Sequence, residues 1–348
     1  MEPEQIIPDH NQGLKIAFVG DTSDSGVGNI SLDPEIGDVL RDADVMVWNC
    51  EAPILPEKMR PPFSIRKSAL DLVALIFGNK QPRVVSTPRI AEIMRIAKIN
   101  IASLAANHTL DAGGGNIEQT IRILKKAGHL VLGAGKNIFQ ALKPLETMEK
   151  GVRIGMVNYN LVGWNAPLLG YMDVYSAGRF WGGGAPYRES EAQEKVKRLK
   201  KRNDLVIASI HMGRCNEERL KNSYLEIAES FFDWGTDIVI VHHSHAMGGI
   251  QAREDGKLAI LGLGDFIFNR SPYPEYITFY FITILWEKEK GFRVKGYPII
   301  RENGVPKMAD APTGGEITQR LFELCKIEKN WELKADEHGR WSLARQNP

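Results

Sequence analysis

Ile238-Val239-Ile240-Val241-His242-His243-Ser244-His245 is a β-branched apolar run that ends in three of the chain's eight histidines. Such a run reads as a buried strand. A polar cluster at its carboxyl end lies where α/β proteins build their sites. Neutral imidazole is the commonest side-chain metal ligand. In an extended chain, residues two apart face the same way. His243 and His245 are therefore expected to aim at one point, with His242 facing the other side.

The same construction recurs along the chain. Lys15-Ile16-Ala17-Phe18-Val19 ends in Gly20-Asp21, and Asp44-Val45-Met46-Val47-Trp48 ends in Asn49-Cys50-Glu51. Ile99 to Leu104 runs into Ala105-Ala106-Asn107-His108, and Leu205 to Ile210 into His211. Leu258 to Leu263 leads into Gly264-Asp265, and Tyr276 to Trp286 reads as one long strand. Helical signals alternate with these strands. Thr87-Pro88 opens one helix, Asn116 to Ala127 closes at Gly128, Glu189 to Arg202 is a charged helix, and Glu217 to Trp234 is amphipathic. Thr313-Gly314-Gly315-Glu316 reads as a capping box for a last helix. The alternation predicts an α/β fold, with a single domain over 14–328. Segments 53–86 and 163–188 read as insertions near the site, the first helical and the second a long loop. Residues 329–348 read as a loosely attached polar tail.

Bulk properties narrow the function. The 348 residues are 43% hydrophobic and 25% charged, with net charge +1, so no global field favours nucleic acid or an anionic membrane. The start carries no basic and apolar leader, and no apolar run is long enough to span a bilayer, so a cytoplasmic protein without a membrane segment is expected. Cys50, Cys215 and Cys325 form no CxxC pair and indicate no disulfide framework. Neither Gly113-Gly114-Gly115 nor Gly182-Gly183-Gly184 belongs to a phosphate-binding loop, and no Gly-x-Ser-x-Gly elbow occurs.

The polar residues at strand ends are Asp21, Asn49, Glu51, Asn107, His108, His211, His243 and His245. Singly, each has a plainer reading: an Asp after Gly is commonly a turn residue, and an Asn-His pair a helix cap with a core histidine. Five strands ending this way suit two divalent ions about 4 Å apart, which need a bridging carboxylate and terminal oxygen and nitrogen ligands. A further histidine off the metal can protonate a leaving group. Among the basic residues, Arg214, three positions after His211, is best placed to hold a phosphate or carboxylate of an anionic small-molecule or oligomeric substrate.

At these residues the sequence resembles the metallophosphoesterase superfamily, and within it the CapA family of poly-γ-glutamate capsule synthesis proteins. Four blocks carry the likeness: Phe18-Val19-Gly20-Asp21, Trp48-Asn49-Cys50-Glu51, Ser103 to Gly113, and Val241 to His245 with Gly262 to Asn269. The resemblance implies a four-layer α-β-β-α metallophosphoesterase-like sandwich. It implies two divalent ions (Mn, Fe or Zn) on Asp21, Glu51, Asn107, His211, His243 and His245, with Glu51 as the bridge. It also implies His108 as general acid, Asp111 fixing the start of a helix and orienting His108, and Asn49 supporting the ligands from behind. The sequence departs from the family at several points. Asp21-Thr22-Ser23 lacks the superfamily's Asp-x-His, Met212 and Ser244 replace a tryptophan and a proline, and Arg214-Cys215 replaces a Glu-Tyr pair. Three functions remain open on this reading: phosphoester hydrolysis, amide or γ-glutamyl processing, and a non-catalytic accessory role in polymer biosynthesis.

Overall fold

The computed structural model describes residues 13–56, 84–166, 170–172, 175–269 and 278–346. The interior of the predicted helical insertion, residues 57–83, lies outside them.

In chain order the main strands are β1 (Leu14–Thr22), β2 (Val45–Cys50), β3 (Ile99–Ser103), β4 (His129–Leu132), β5 (Leu145–Glu149), β6 (Val152–Asn160), β7 (Leu205–His211), β8 (Ile238–His242) and β9 (Ile250–Ala252). They continue with β10 (Leu258–Ile260), β11 (Asp265–Ile267), β12 (Thr278–Glu287), β13 (Gly291–Glu302), β14 (Val305–Met308), β15 (Lys326–Ile327), β16 (Trp331–Ala335) and β17 (Trp341–Arg345). The first sheet has the order β16-β17-β13-β12-β1-β2-β3-β4, with β11 on β1 and β14 on β13. The second has the order β15-β9-β10-β8-β7-β6-β5. The centre of each is parallel: β1 to β4 in the first, and β6, β7, β8 and β10 in the second.

Side-chain alternation explains why the two sheets stack. Leu14, Ile16 and Phe18 of β1 and Val45 and Val47 of β2 turn inward. There they meet Ile154, Met156, Leu205, Ile207, Ile238 and Ile240 of the second sheet in one core. The intervening residues, Ala17, Val19, Met46 and Trp48, face helices α1 (Pro34–Arg41), α2 (Pro88–Ile93) and α3 (Ile117–Lys126). On the far side Val206, Ala208, Val239 and Val241 face α4 (Glu189–Lys200) and α5 (Asn222–Trp234). Both faces of the central strands are thus buried, which is why they read as continuous apolar runs rather than alternating ones. The result is the expected α-β-β-α sandwich, and its parallel strands from both sheets end at one edge.

Three expectations are corrected. The last helix, α6, spans Ala311–Leu324 and is capped by Asp310, whose side chain accepts from the Thr313 N–H at 3.0 Å. Thr313 is therefore inside the helix and the capping-box reading fails, because an Asp followed closely by Pro312 is the stronger start signal. Helix α5 starts at Asn222, five residues later than Glu217. Residues 329–348 are no loose tail: β16 and β17 form a hairpin that extends the first sheet, and Trp331, Trp341 and Leu343 enter the inter-sheet core at 4%, 2% and 0% exposure. The loop expected over 163–188 contains two short strand pairings, Trp164–Ala166 with Gly170–Met172 and Gly183–Gly184 with Ala134–Gly135. Among the described residues no helix is long and apolar enough to cross a membrane.

Phe18 is fully buried between the sheets. Phe18→Ala is expected to lower unfolding free energy by about 3–5 kcal/mol through lost transfer energy and a residual cavity. Urea denaturation followed by circular dichroism measures it.

Candidate metal centre

Each sheet brings its polar residues to the shared edge by a distinct local device. In the first sheet, β1 ends around Asp21 because β11 runs parallel beside it, pairing Asp21 with Asp265, and the Asp21 N–H donates to the Gly264 carbonyl at 2.8 Å. That approach needs glycine at position 20: a Cβ there would sit 2.0 Å from the Gly264 oxygen. β2 carries Asn49, and Glu51 follows immediately after its last residue. Beyond β3 a tight turn carries Asn107, His108 and Asp111. Thr109 pins this turn, its hydroxyl accepting from the Ala106 N–H at 3.0 Å and donating to the Leu104 carbonyl at 2.6 Å. In the second sheet His211 closes β7 and His242 closes β8. His243 and His245 then adopt φ of +97° and +53°.

These devices converge. The Asn49 amide donates to Asp21 Oδ1 at 2.9 Å and to Glu51 Oε2 at 2.6 Å, spanning two carboxylates from adjacent strands. His211 Nε2 lies 2.9 Å from Asn107 Oδ1 and 3.5 Å from Glu51 Oε1, joining the two sheets. Asp21 Oδ2 accepts from the His243 backbone N–H at 3.2 Å and lies 3.3 Å from His245 Nδ1. Ligand atoms of Glu51, His211 and His243 fall within 4.8 Å of one another, as do those of Asp21, His245 and Asp265. All six predicted ligands are at most 5% exposed.

The electrostatics of this pocket are compatible with a bound cation. Burial raises the Asp21 carboxyl, but His242, His245 and His211 around it outweigh that and hold it well below the usual carboxylate range. Burial and the charge of Asp21 push Glu51 well above its ordinary value, against the Asn49 hydrogen bond. Burial and the neighbouring His243 ring push His211 down, keeping it neutral as a nitrogen ligand must be. Glu51 Oε1 and His211 Nδ1 are buried with no hydrogen-bond partner among the described residues. Buried polar atoms left this way are costly unless something satisfies them. The donor set of carboxylate, amide oxygen and imidazole fits the divalent ions Mn, Fe or Zn.

Behind the predicted ligands stands a chain that the sequence reading missed. His245 Nδ1 lies 2.6 Å from Asp265 Oδ1, and Arg301 of β13 donates to Asp265 Oδ2. Arg301 is 8% exposed and its guanidinium lies 5.4 Å from the centre of the Phe279 ring. A carboxylate behind a ligating histidine fixes its ring and tautomer. The visible signal was an arginine closing the short apolar run Tyr297-Pro298-Ile299-Ile300.

The other sequence-selected residues divide. His108 Nδ1 lies 2.7 Å from Asp111 Oδ2, which also accepts from the Val84 N–H at 2.7 Å. Asp111 does not start a helix: α3 begins at Ile117 after a short 3₁₀ turn. Arg214 is not brought to the cluster; its side chain is 61% exposed and lies 3.7 Å from Glu217. The alternation that sent His242 away is corrected, since its Nδ1 lies 3.2 Å from Asp21 Oδ1. Positive φ at His243 and His245 replaces the pleat with a turn, so side-chain direction there no longer follows a period of two.

The model of a family described as bacterial capsule synthesis protein PGA_cap matches residues 15–270. The chain is 25% identical over 239 residues to the capsule biosynthesis protein CapA of Bacillus anthracis, covering 66% of this chain and 52% of that one. It is 22% identical over 272 residues to the PGA biosynthesis protein CapA of Bacillus subtilis (strain 168), covering 74% and 64%. The chain thus spans between half and two thirds of the length of these curated relatives. Among solved structures it is similar to one described as a novel phosphatase from Mycoplasma pneumoniae, at 11% identity and TM-score 0.44, covering 83% of this chain and 94% of that one. A hypothetical protein from Thermus thermophilus is similar at 14% identity and TM-score 0.38, covering 84% and 96%.

Removing Arg301 strips the buried Asp265 carboxylate of the guanidinium on Oδ2 and leaves it the His245 ring alone. Arg301→Met is expected to destabilise the fold by about 3–5 kcal/mol. Adding Asp265→Asn in the same chain should recover more than half of that loss in denaturant melts.

Proposed function

The chain belongs to the bacterial capsule synthesis protein PGA_cap family, matched over residues 15–270, and on that premise we propose that it is a metal-dependent hydrolase of phosphoesters. The observation that carries the reading is the convergence of Asp21, Glu51, Asn107, His211, His243 and His245 in one buried cluster. Beside it, in the same turn as Asn107, stands an oriented histidine, His108. These six residues would hold divalent ions, whose chemistry there would be Lewis acidity and the activation of water. The rest belongs to the side chains. Asn49 holds Asp21 and Glu51 in fixed relation, so the two carboxylates do not swing apart. Asp265 and Arg301 lock the His245 ring. Asp111 binds one nitrogen of His108, leaving Nε2 to carry a proton to the leaving oxygen of an anionic substrate.

The names of the Bacillus relatives favour a second reading, in which the same centre processes an amide bond of a γ-glutamyl polymer or peptide. Both readings need the ligands. They differ in whether the leaving atom that His108 protonates is oxygen or nitrogen.

Protein stripped of metal by chelation should show no turnover of aryl phosphates, and Mn²⁺ should restore it; turnover surviving chelation would sink the mechanism. Elemental analysis should give about two metals per chain, with loss in Asp21→Asn and in His243→Ala. His108→Ala should keep the metal while lowering kcat by roughly 10²- to 10⁴-fold. Assaying γ-glutamyl peptides beside phosphoesters separates the two substrate classes. Saturating metal should also raise the melting temperature, since a ligand at 100 times its Kd adds about 2.7 kcal/mol to stability.

A further inference from the structure

The turn after β7 brings a third ligand type to the histidine pair. Cys215 Sγ lies 3.8 Å from His243 Nε2, and ligand atoms of Cys215, His243 and His245 lie within 4.8 Å of one another. Two ligands on one tetrahedral zinc, with bonds of about 2.3 Å to sulfur and about 2.1 Å to nitrogen, stand about 3.6 Å apart. The observed separation is close to that.

The placement is built into the backbone. The Met212 N–H donates to the His242 carbonyl at 3.1 Å, and the Asn216 N–H donates to the Ser244 carbonyl at 2.7 Å. Ser244 lies between the two histidines, so the segment carrying Cys215 is tied to the segment carrying His243 and His245. Gly213 and Asn216 take φ of +110° and +65° to make this close approach. The residue itself is exposed while both histidines are buried, which puts the sulfur on the solvent side of the cluster.

We propose that Cys215 is a thiolate ligand of the ion held by His243 and His245, and that it biases this position toward thiophilic divalent metals, zinc or iron, over manganese. The inference rests on the metal-centre reading above. On binding, the thiol gives its proton to solvent and a sulfur–metal bond forms. Carboxylate, amide and imidazole ligands alone discriminate weakly among these ions, whereas a soft sulfur donor favours zinc and disfavours manganese.

Metal-free protein titrated with Co²⁺ tests this. Wild type is expected to develop visible ligand-field bands together with an intense near-ultraviolet sulfur-to-cobalt charge-transfer band. Cys215→Ser should keep the ligand-field bands and lose the charge-transfer band. In competition with a chromogenic chelator, its Zn²⁺ affinity should fall about tenfold or more while Mn²⁺ affinity stays within about threefold. Cys215→His should restore zinc affinity without the charge-transfer band. Cobalt bound by wild type without that band, or the band retained in Cys215→Ser, overturns the thiolate ligand and leaves the metal centre standing. Failure of wild type to bind cobalt at all overturns both.

Discussion

Asp21 and Glu51 come from neighbouring parallel strands, are almost wholly out of solvent, and share one amide donor. Two carboxylates so placed repel each other in a medium that screens poorly. Protonation can relieve this, and Glu51 is pushed in that direction. A divalent cation bound by this donor set would relieve it better. Much of the surrounding structure holds this arrangement in place. The glycine at position 20 lets β11 approach, Asn49 fixes the spacing, and His211 links Glu51 to the turn of Asn107.

The strand ends were legible because burial on both faces writes a strand as an unbroken apolar run, and polar residues stand out where the run stops. Asp21, Glu51, His211 and the histidine pair are all visible this way. Asn107 and His108 needed the family motif, since an Asn-His pair in a turn has no local signature of its own. Asp265 and Arg301 are a different case. Their relation spans a strand pairing and a reach across the first sheet, which no local period encodes. Arg301 betrays itself only as a charge at the end of a short apolar run. The misplacement of His242 has a simple cause: period-two reasoning assumes an extended chain, and positive φ at the next residue ends it. The hairpin of β16 and β17 was hidden by its charged outer face, although Trp331 and Leu333, like Trp341 and Leu343, already show strand spacing.

The backbone of His243 and His245 carries a cost. Non-glycine residues at positive φ give up on the order of 1–3 kcal/mol each and persist where the surroundings enforce them. Here the enforcing contacts are themselves parts of the site: Asp21 accepts from the His243 backbone, and Asp265 holds the His245 ring. The geometry that aims the imidazoles is therefore sustained by the groups they are aimed beside.

The sheet order has a kinetic consequence. β1, the first strand among the described residues, lies between β2 and β12, and its partner β12 begins at Thr278. During synthesis the first strand must wait, one apolar edge unpaired, until more than 250 further residues have emerged. The hairpin of β16 and β17 closes the same sheet last of all. Contacts this distant in sequence make folding slow and leave an exposed strand edge prone to wrong pairing in the meantime. Truncation near the carboxyl end would thus be felt first as poor yield of folded chains, since β13 would be left with an open edge where the hairpin should close the sheet.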